Sequence, residues 1–196
     1  MKRFVLAAAA ALVLTACADT GETPVAPAAP RLATGDTWRV FTTQTPAEIL
    51  DATGGWEVAT RFKASVPGCI TELHFYRAPG ETGLNYIKLW TNSGTQLLSW
   101  PVYFPVTGWN TVQLTPPPGV GPPIDSSVCI PANTYYRVSV NTNTKQAKTY
   151  DYFTTNGSIT RGPLTASYSY YGQPTGSMPT QGSNSIYFVD VTFKED

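Results

Sequence analysis

Residues 56–66 have the sequence WEVATRFKASV, in which apolar and polar side chains alternate. Trp56, Val58 and Phe62 share one parity, whereas Glu57 has the other. Successive side chains of a β-strand point to opposite faces of the sheet, so this period of two predicts a strand with the first set on a buried face. The same pattern recurs along the chain and decides the predicted fold.

Further segments of strand length are separated by turn-forming residues. Residues 134–141 and 185–194 alternate in the same way, and Asn92-Ser93-Gly94 predicts a hairpin turn between residues 86–91 and 95–100. The chain contains 16 Gly and 17 Pro, together with 11 Tyr and 8 Phe that suit sheets. With no helical period, the chain is predicted to be all-β, a two-layer antiparallel β-sandwich of jelly-roll type with about ten short strands.

Four regions carry weaker patterns. Residues 45–55 are predicted to form a loop, and residues 102–106 at best an edge strand between prolines. Residues 149–154 are predicted to form a short strand. The Gly-, Ser- and Tyr-rich residues 156–183 are interpreted as a long loop, which in a compact domain is usually functional or mobile.

The start of the chain resembles a bacterial lipoprotein signal. Lys2 and Arg3 precede an apolar run that ends in Leu14-Thr15-Ala16-Cys17, a four-residue pattern similar to a lipobox. An apolar run this short after basic residues is typical of a secretory signal and not of a membrane-spanning helix. The alternative is an ordinary cleaved signal peptide with a chance cysteine.

This resemblance implies three parts of the chain. Residues 1–16 would be the signal peptide, and residues 17–36 a Pro-, Ala- and Thr-rich tether that starts with fatty-acylated (palmitate-type) Cys17 and attaches the protein to the membrane. Residues 37–196 would form the β-sandwich domain. Ala18 follows the cysteine, which by the sorting rule of such lipoproteins favours the bacterial outer membrane over the inner one.

The two remaining cysteines form an even pair. In an oxidising compartment, Cys69 and Cys129 are expected to form a disulfide that closes a loop of about 60 residues. Such a bridge stabilises by roughly 4 kcal/mol in the chain-entropy model. The alternative is two buried free thiols.

Charge and histidine content argue against several functions. The chain has 13 Lys and Arg against 13 Asp and Glu, without the basic patch that nucleic-acid binding needs. His74 is the single histidine and lies in a predicted strand, where a structural or surface role is favoured over a catalytic triad. An enzyme is therefore the least favoured class.

Four segments carry a resemblance to a known family. In chain order they are GWEVATRF (55–62), ITELHFYR (70–77), KLW (88–90) and YFVDVTF (187–193). The ordered set resembles the bacterial domain of unknown function 4082 (DUF4082) over residues 40–193. This resemblance implies a secreted bacterial context and no established catalytic residues.

Two carboxylates within these segments are candidate metal ligands. Glu57 and Asp190 have the polar parity of their predicted strands. Calcium takes six to eight oxygen ligands, which two carboxylates and loop carbonyls can supply. A structural calcium site is therefore one hypothesis, and surface carboxylates that face water or Arg61 are the other.

Aromatic residues in the weakly patterned regions suggest a ligand. Tyr152, Tyr170 and Tyr171 crowd together in sequence, and Trp109 follows a glycine at a loop end. Exposed Tyr and Trp rings stack on sugars and also serve protein interfaces, whereas the alternative is that these rings pack the sandwich. The sequence favours a non-catalytic, surface-anchored domain that binds carbohydrate or another extracellular ligand. A structural or adhesive lipoprotein with a protein partner is the alternative, and a hydrolase comes last.

Overall fold

The computed structural model describes residues 35–42, 44–103, 105–114 and 126–196. All of these residues belong to one compact unit. The predicted signal peptide, Cys17 and the tether up to residue 34 lie outside the described residues. Their boundaries and the lipid attachment therefore stay predictions.

The described residues form fourteen strands and one short helix. In chain order these are β1 (Thr37–Arg39), β2 (Glu48–Asp51), β3 (Trp56–Ala64), β4 (Gly68–Arg77), β5 (Tyr86–Thr91), β6 (Gln96–Pro101), β7 (Gly108–Gln113), β8 (Val128–Ile130), β9 (Tyr136–Thr142), β10 (Lys145–Lys148), α1 (Tyr152–Asn156), β11 (Ile159–Arg161), β12 (Leu164–Gly172), β13 (Gln181–Ser183) and β14 (Val189–Glu195).

The strands form two main sheets and a small ribbon. The seven-stranded sheet has the order β11-β12-β3-β9-β5-β6, with β13 also paired to β12. The five-stranded sheet has the order β1-β14-β4-β7, with β8 also paired to β4, and β10 pairs with β2 alone. All of these described pairs are antiparallel, and β14 packs across β3 and β9 of the other sheet. The structure therefore confirms the all-β, antiparallel sandwich.

The core lies between the two main sheets, where the alternation of β3 predicted it. Val58 and Phe62 of β3 are each 1% exposed and belong to one apolar cluster with Leu73 of β4 and Val191 of β14. Complete burial of a side chain of this size contributes about 1.5–3 kcal/mol. The alternation thus predicted correctly which face of β3 packs on the core. The opposite face of β3, which includes Glu57, is also partly covered.

A disulfide joins the two predicted cysteines. Cys69 of β4 and Cys129 of β8 lie directly opposite each other in the strand register, and their Sγ atoms are bonded. The β4–β14 register skips Thr71, which marks a bulge in β4.

Several local predictions were wrong. About ten strands were expected, but short strands β2, β11 and β13 lie in regions interpreted as loops, and β12 crosses residues 164–172 as a long central partner of β3. Residues 149–154 do not form a strand, because helix α1 begins at Tyr152. The described part of residues 102–106, predicted to be at best an edge strand, contains no strand, although the Val102 N–H donates to the Asn85 carbonyl at 2.9 Å. Within the described part of the chain, no helix is long and apolar enough to cross a membrane.

Candidate functional site

A cleft of about 170 Å³ opens at one end of the sandwich. Its lining residues, which we call the aromatic cleft, are Leu50, Trp56, Gln146, Lys148, Tyr150, Tyr171 and Tyr187. An apolar cavity of about 150 Å³ admits benzene, so this volume is sufficient for one six-membered ring. Aromatic walls with a few polar groups are the usual composition of a small-ligand site.

The β2–β10 ribbon provides one wall of the aromatic cleft. Leu50 of β2 lies opposite Gln146 of β10, and Glu48 lies opposite Lys148. Residues that are directly opposite in an antiparallel pair, and those two apart on one strand, point to the same face. The ribbon therefore presents the amide of Gln146 and the ammonium group of Lys148 together on the cleft side, with the exposed carboxylate of Glu48 opposite Lys148.

Aromatic rings provide the other wall. Trp56 begins β3 and its ring centroid lies 5.9 Å from that of Tyr171 near the end of β12. The Tyr171 ring in turn lies 6.2 Å from the ring of Tyr187. At Phe188 the backbone takes a φ of 54°, a left-handed conformation that is unusual for a bulky residue. Tyr187 thus reaches the aromatic cleft, while the next residue packs into a different cluster.

Lys148 supplies positive charge to the aromatic cleft. Its Nζ atom lies 3.9 Å from the ring centroid of Tyr150 and 5.2 Å from that of Tyr187, within the range of a cation–π interaction. Burial lowers the pKa of Lys148, and the charges of Asp151 and Glu48 oppose this shift. Burial also raises the pKa of Tyr187 to about 12, so that its hydroxyl is a neutral hydrogen-bonding group at neutral pH.

The structure separates the aromatic residues that the sequence grouped as ligand-binding. Tyr171 lines the aromatic cleft, but Tyr170 lies on the opposite face of β12, as its pairing with Ala59 requires. The Tyr170 ring stacks on the guanidinium of Arg137, with Cζ 3.6 Å from the ring centroid, and makes an edge contact with Tyr168.

Tyr152 and Trp109 do not line the aromatic cleft. Tyr152 lies on α1, where its ring packs edge-on against Phe153 at 5.8 Å. Trp109 of β7 packs between Phe41, Tyr76 and Phe188, with ring centroids 5.9 to 6.5 Å away. For Tyr152 and Trp109 the structure therefore favours a role in packing the sandwich over a role in ligand binding.

Glu57 is buried, contrary to its predicted exposure on the polar side of β3. Its carboxylate is 0% exposed and accepts hydrogen bonds from the Lys88 ammonium at 2.9 and 3.1 Å, from the Ser139 hydroxyl, and from the Gly176 N–H at 2.9 Å. The loop of residues 173–180 folds over this face of the sheet, which is why the local alternation misjudged the exposure. The carboxylate is thus already compensated by an ammonium and two further donors.

Asp190 is buried in the other main sheet. It accepts N–H bonds from Val40, Phe41 and Val191 and lies 3.6 Å from Arg39 Nε. Burial raises the pKa of Asp190 to about 6, although these N–H bonds and Arg39 act in the opposite direction.

The two carboxylates therefore do not form the calcium site that the sequence suggested. Glu57 and Asp190 lie on different sheets and are each held by protein donors. Among the described residues, no group of three or more His, Cys, Asp or Glu side chains is arranged to hold a metal ion.

His74 has a structural position. The ring is 1% exposed, with Nδ1 2.8 Å from the Thr111 hydroxyl and Nε2 2.7 Å from the Thr192 hydroxyl. Burial, assisted by the charge of Arg39, lowers the pKa of His74 to about 3. The ring is thus neutral at neutral pH and has no access to a ligand in the aromatic cleft.

Sequence reasoning missed Trp56, Lys148 and Tyr187 as members of a site. Trp56 and Tyr187 have the parity of core residues in their segments, and Lys148 comes from a four-residue strand. The one available signal was the position of Trp56 directly after Gly54-Gly55, at the first residue of its strand. Such a residue lies at the end of the sheet, where a ligand can reach the ring, and not in its middle.

A wider and shallower hollow of about 400 Å³ lies at the opposite end of β3 and β9. Its lining is Thr91, Asn92, Ser93, Thr134, Tyr135 and Tyr136. Tyr136 belongs to the core, so Tyr135 is the one ring that remains for a ligand, and it already lies beneath Arg61 and Lys63. The aromatic cleft is therefore the better candidate site.

These features define an antiparallel β-sandwich with an aromatic cleft at one end. Residues 42–189 match the family described as "Domain of unknown function (DUF4082)", and the chain belongs to this family. The resemblance of the sequence segments to that family is thereby confirmed. None of the curated proteins compared with the chain matches it.

Two solved structures of a clostridial protein match part of this chain. One contains the cysteine protease and lectin-like domains of Cwp84, a surface layer associated protein of Clostridium difficile, with 13% sequence identity and a TM-score of 0.44. The other is the clostridial cysteine protease Cwp84 after propeptide cleavage, with 13% identity and a TM-score of 0.47. The matches cover 73% and 82% of this chain but only 33% and 41% of those chains.

Proposed function

We propose that this domain binds carbohydrate in the aromatic cleft and has no catalytic role. The observation that carries the proposal is the set of three contacting rings, Trp56, Tyr171 and Tyr187, beside the amide of Gln146. The apolar face of a sugar ring packs on such rings, while its hydroxyl groups need polar partners at the rim. His74, the single histidine of the chain, is buried elsewhere and neutral.

The test is glycan binding by the full chain and by a matched pair of variants. Purified protein is applied to a polysaccharide array, and each hit is titrated by calorimetry. Tyr171→Ala is expected to weaken binding about tenfold, because a ring contact contributes about 0.5–1.5 kcal/mol beyond area burial and 1.4 kcal/mol is a factor of ten.

Tyr170→Ala is the control for this experiment. It removes the adjacent tyrosine from the opposite face of β12, away from the aromatic cleft. Binding that survives in Tyr170→Ala and is lost in Tyr171→Ala supports the proposal. The absence of any glycan hit, or equal losses in both variants, overturns it.

We further propose that the protein is secreted and lipid-anchored at Cys17, on the outer membrane. The Cys69–Cys129 disulfide supports an oxidising compartment. Mass spectrometry of the membrane-extracted protein tests the anchor, with an acylated cysteine expected at the mature N-terminus and an unmodified or intact leader as the contradicting result. Cys17→Ser is expected to release the protein from the membrane fraction.

A protein partner is the second candidate function. Strand β6 is an edge strand of the seven-stranded sheet, and Leu97 and Trp100 on it are 38% and 36% exposed. An exposed edge strand with apolar side chains is a template for pairing with another chain. Capture of a surface protein that is lost in Trp100→Lys, without any glycan hit, would favour this function over carbohydrate binding.

A further inference from the structure

Among the residues that line the aromatic cleft, Lys148 is the one cation. Lys88 and Lys145 are paired with Glu57 and Asp51, and Arg39 is paired with Asp190. The ion pairs of the described residues do not include Lys148. Its ammonium group lies instead over two rings inside the aromatic cleft.

The surroundings of Lys148 favour an anion. The side chain is half-buried, so its ammonium group has lost part of its hydration, and this burial lowers its pKa. The two acids that act on it, Glu48 and Asp151, are exposed, so water and salt screen their effect. The face of a ring attracts a cation but satisfies none of the N–H donors of an ammonium group.

We propose that the aromatic cleft selects an acidic saccharide, a sugar that carries a carboxylate such as a uronic acid. The sugar ring packs on Trp56 and Tyr171, and its carboxylate accepts hydrogen bonds from Lys148, with the amide of Gln146 next to it. This inference rests on the proposed carbohydrate binding and adds the charge of the ligand. A charge-assisted hydrogen bond in a partly desolvated site is about twice as strong as a neutral one.

The experiment compares each acidic saccharide with its own neutral form. Oligogalacturonate and glucuronate-containing oligosaccharides are titrated against the full chain, and so are their methyl esters, which keep the same ring and lose the charge. The acid is expected to bind at least tenfold more tightly than the ester at low salt. This preference should become smaller in 0.5 M sodium chloride, because salt screens a partly exposed ion pair.

Variants of Lys148 identify the source of the preference. Lys148→Met keeps the apolar stem and is expected to bind acid and ester equally. Lys148→Arg should keep the preference. Lys145→Met is the matched control, since Lys145 lies on the same strand but pairs with Asp51 and does not line the cleft.

The outcomes separate this inference from the proposed function. Equal binding of acid and ester by the unaltered protein, or a preference for the acid that survives in Lys148→Met, would contradict the selection of an acidic saccharide by Lys148. If Tyr171→Ala abolishes binding in that case, carbohydrate binding still stands. Tighter binding of dextran sulfate than of every uronate would show that the acidic group of the ligand is a sulfate and not a carboxylate. Binding of none of these sugars, together with an empty polysaccharide array, removes both proposals.

Discussion

Two clusters in this protein have nearly the same composition and opposite properties. The aromatic cleft contains one Trp, three Tyr and a lysine whose Nζ atom lies 3.9 Å from a ring centroid. The Trp109 cluster, which consists of Trp109, Phe41, Tyr76, Phe188 and Arg39, likewise combines one Trp, three rings and a cation, with Arg39 Cζ 5.1 Å from the Trp109 ring.

The difference lies in what surrounds each cluster. In the Trp109 cluster, Phe41 and Phe188 are 1% and 0% exposed, Tyr76 and Trp109 are half-buried, and Arg39 is compensated by buried Asp190. In the aromatic cleft, Tyr187 is buried, but Trp56, Tyr150 and Tyr171 border open space, and Lys148 has no buried carboxylate as its partner. Rings and a cation thus stabilise the fold where the packing is closed and the charge is paired, and they form a candidate binding site where neither holds.

The largest expected effect on stability comes from a substitution in the Trp109 cluster. Trp109→Ala should lower the free energy of unfolding by about 3 kcal/mol, because a large ring is removed from a packed site that cannot collapse completely. Carbohydrate affinity, measured below the unfolding transition, should not change. Chemical denaturation provides the measurement.

Trp100→Ala is the control for Trp109→Ala, since Trp100 is 36% exposed on an edge strand. It should cost less than about 1 kcal/mol. Equal losses in the free energy of unfolding in the two variants would show that Trp109 is not closely packed in its cluster.

A smaller effect is expected on the pH dependence of stability, through the buried imidazole of His74. The pKa of His74 is lowered from 6.5 to about 3, so below pH 6.5 the unfolded chain binds a proton that the folded chain does not. Stability from this group therefore falls as the pH falls, by about 1.4 kcal/mol per pH unit. Asp190, with its pKa raised from 3.8 to about 6, acts in the opposite direction below pH 6.

His74→Gln removes the first of these two contributions. The difference in free energy of unfolding between variant and unaltered protein should shift in favour of the variant by about 1.2 kcal/mol from pH 6 to pH 5. Urea titrations at both pH values measure it, and all other acids cancel in the difference. A difference that is independent of pH would mean that His74 is protonated in the folded protein.

The smallest effect on stability is expected in the aromatic cleft. Tyr150 is 49% exposed, so Tyr150→Ala should change the free energy of unfolding by less than about 0.5 kcal/mol. It should nevertheless weaken glycan binding several-fold, because the ring lines the cleft and contacts Lys148. Tyr103→Ala, at a residue 70% exposed and outside the cleft, is the control that should alter neither quantity. A large loss of stability in Tyr150→Ala would show that this ring packs the fold.

Local pattern predicted the fold much better than the site. The alternation in β3 placed Val58 and Phe62 in the core correctly, and the favoured Cys69–Cys129 disulfide is confirmed. The same alternation placed Glu57 in water, but a loop that is distant in sequence covers it. The crowding of tyrosines indicated a ligand site, yet Tyr170 and Tyr171 lie on opposite faces of one strand.

The residue pattern predicted a β-rich chain and the apolar faces of its strands, because these depend on a period of two, and it favoured a Cys69–Cys129 bridge over free thiols. Which rings meet around open space depends on the folded chain. The aromatic cleft joins Trp56, Lys148, Tyr171 and Tyr187 from separate segments. Whether a ring or a charge is covered depends on which distant segment packs over it, and that is set by strand register and loop path, which no local pattern records.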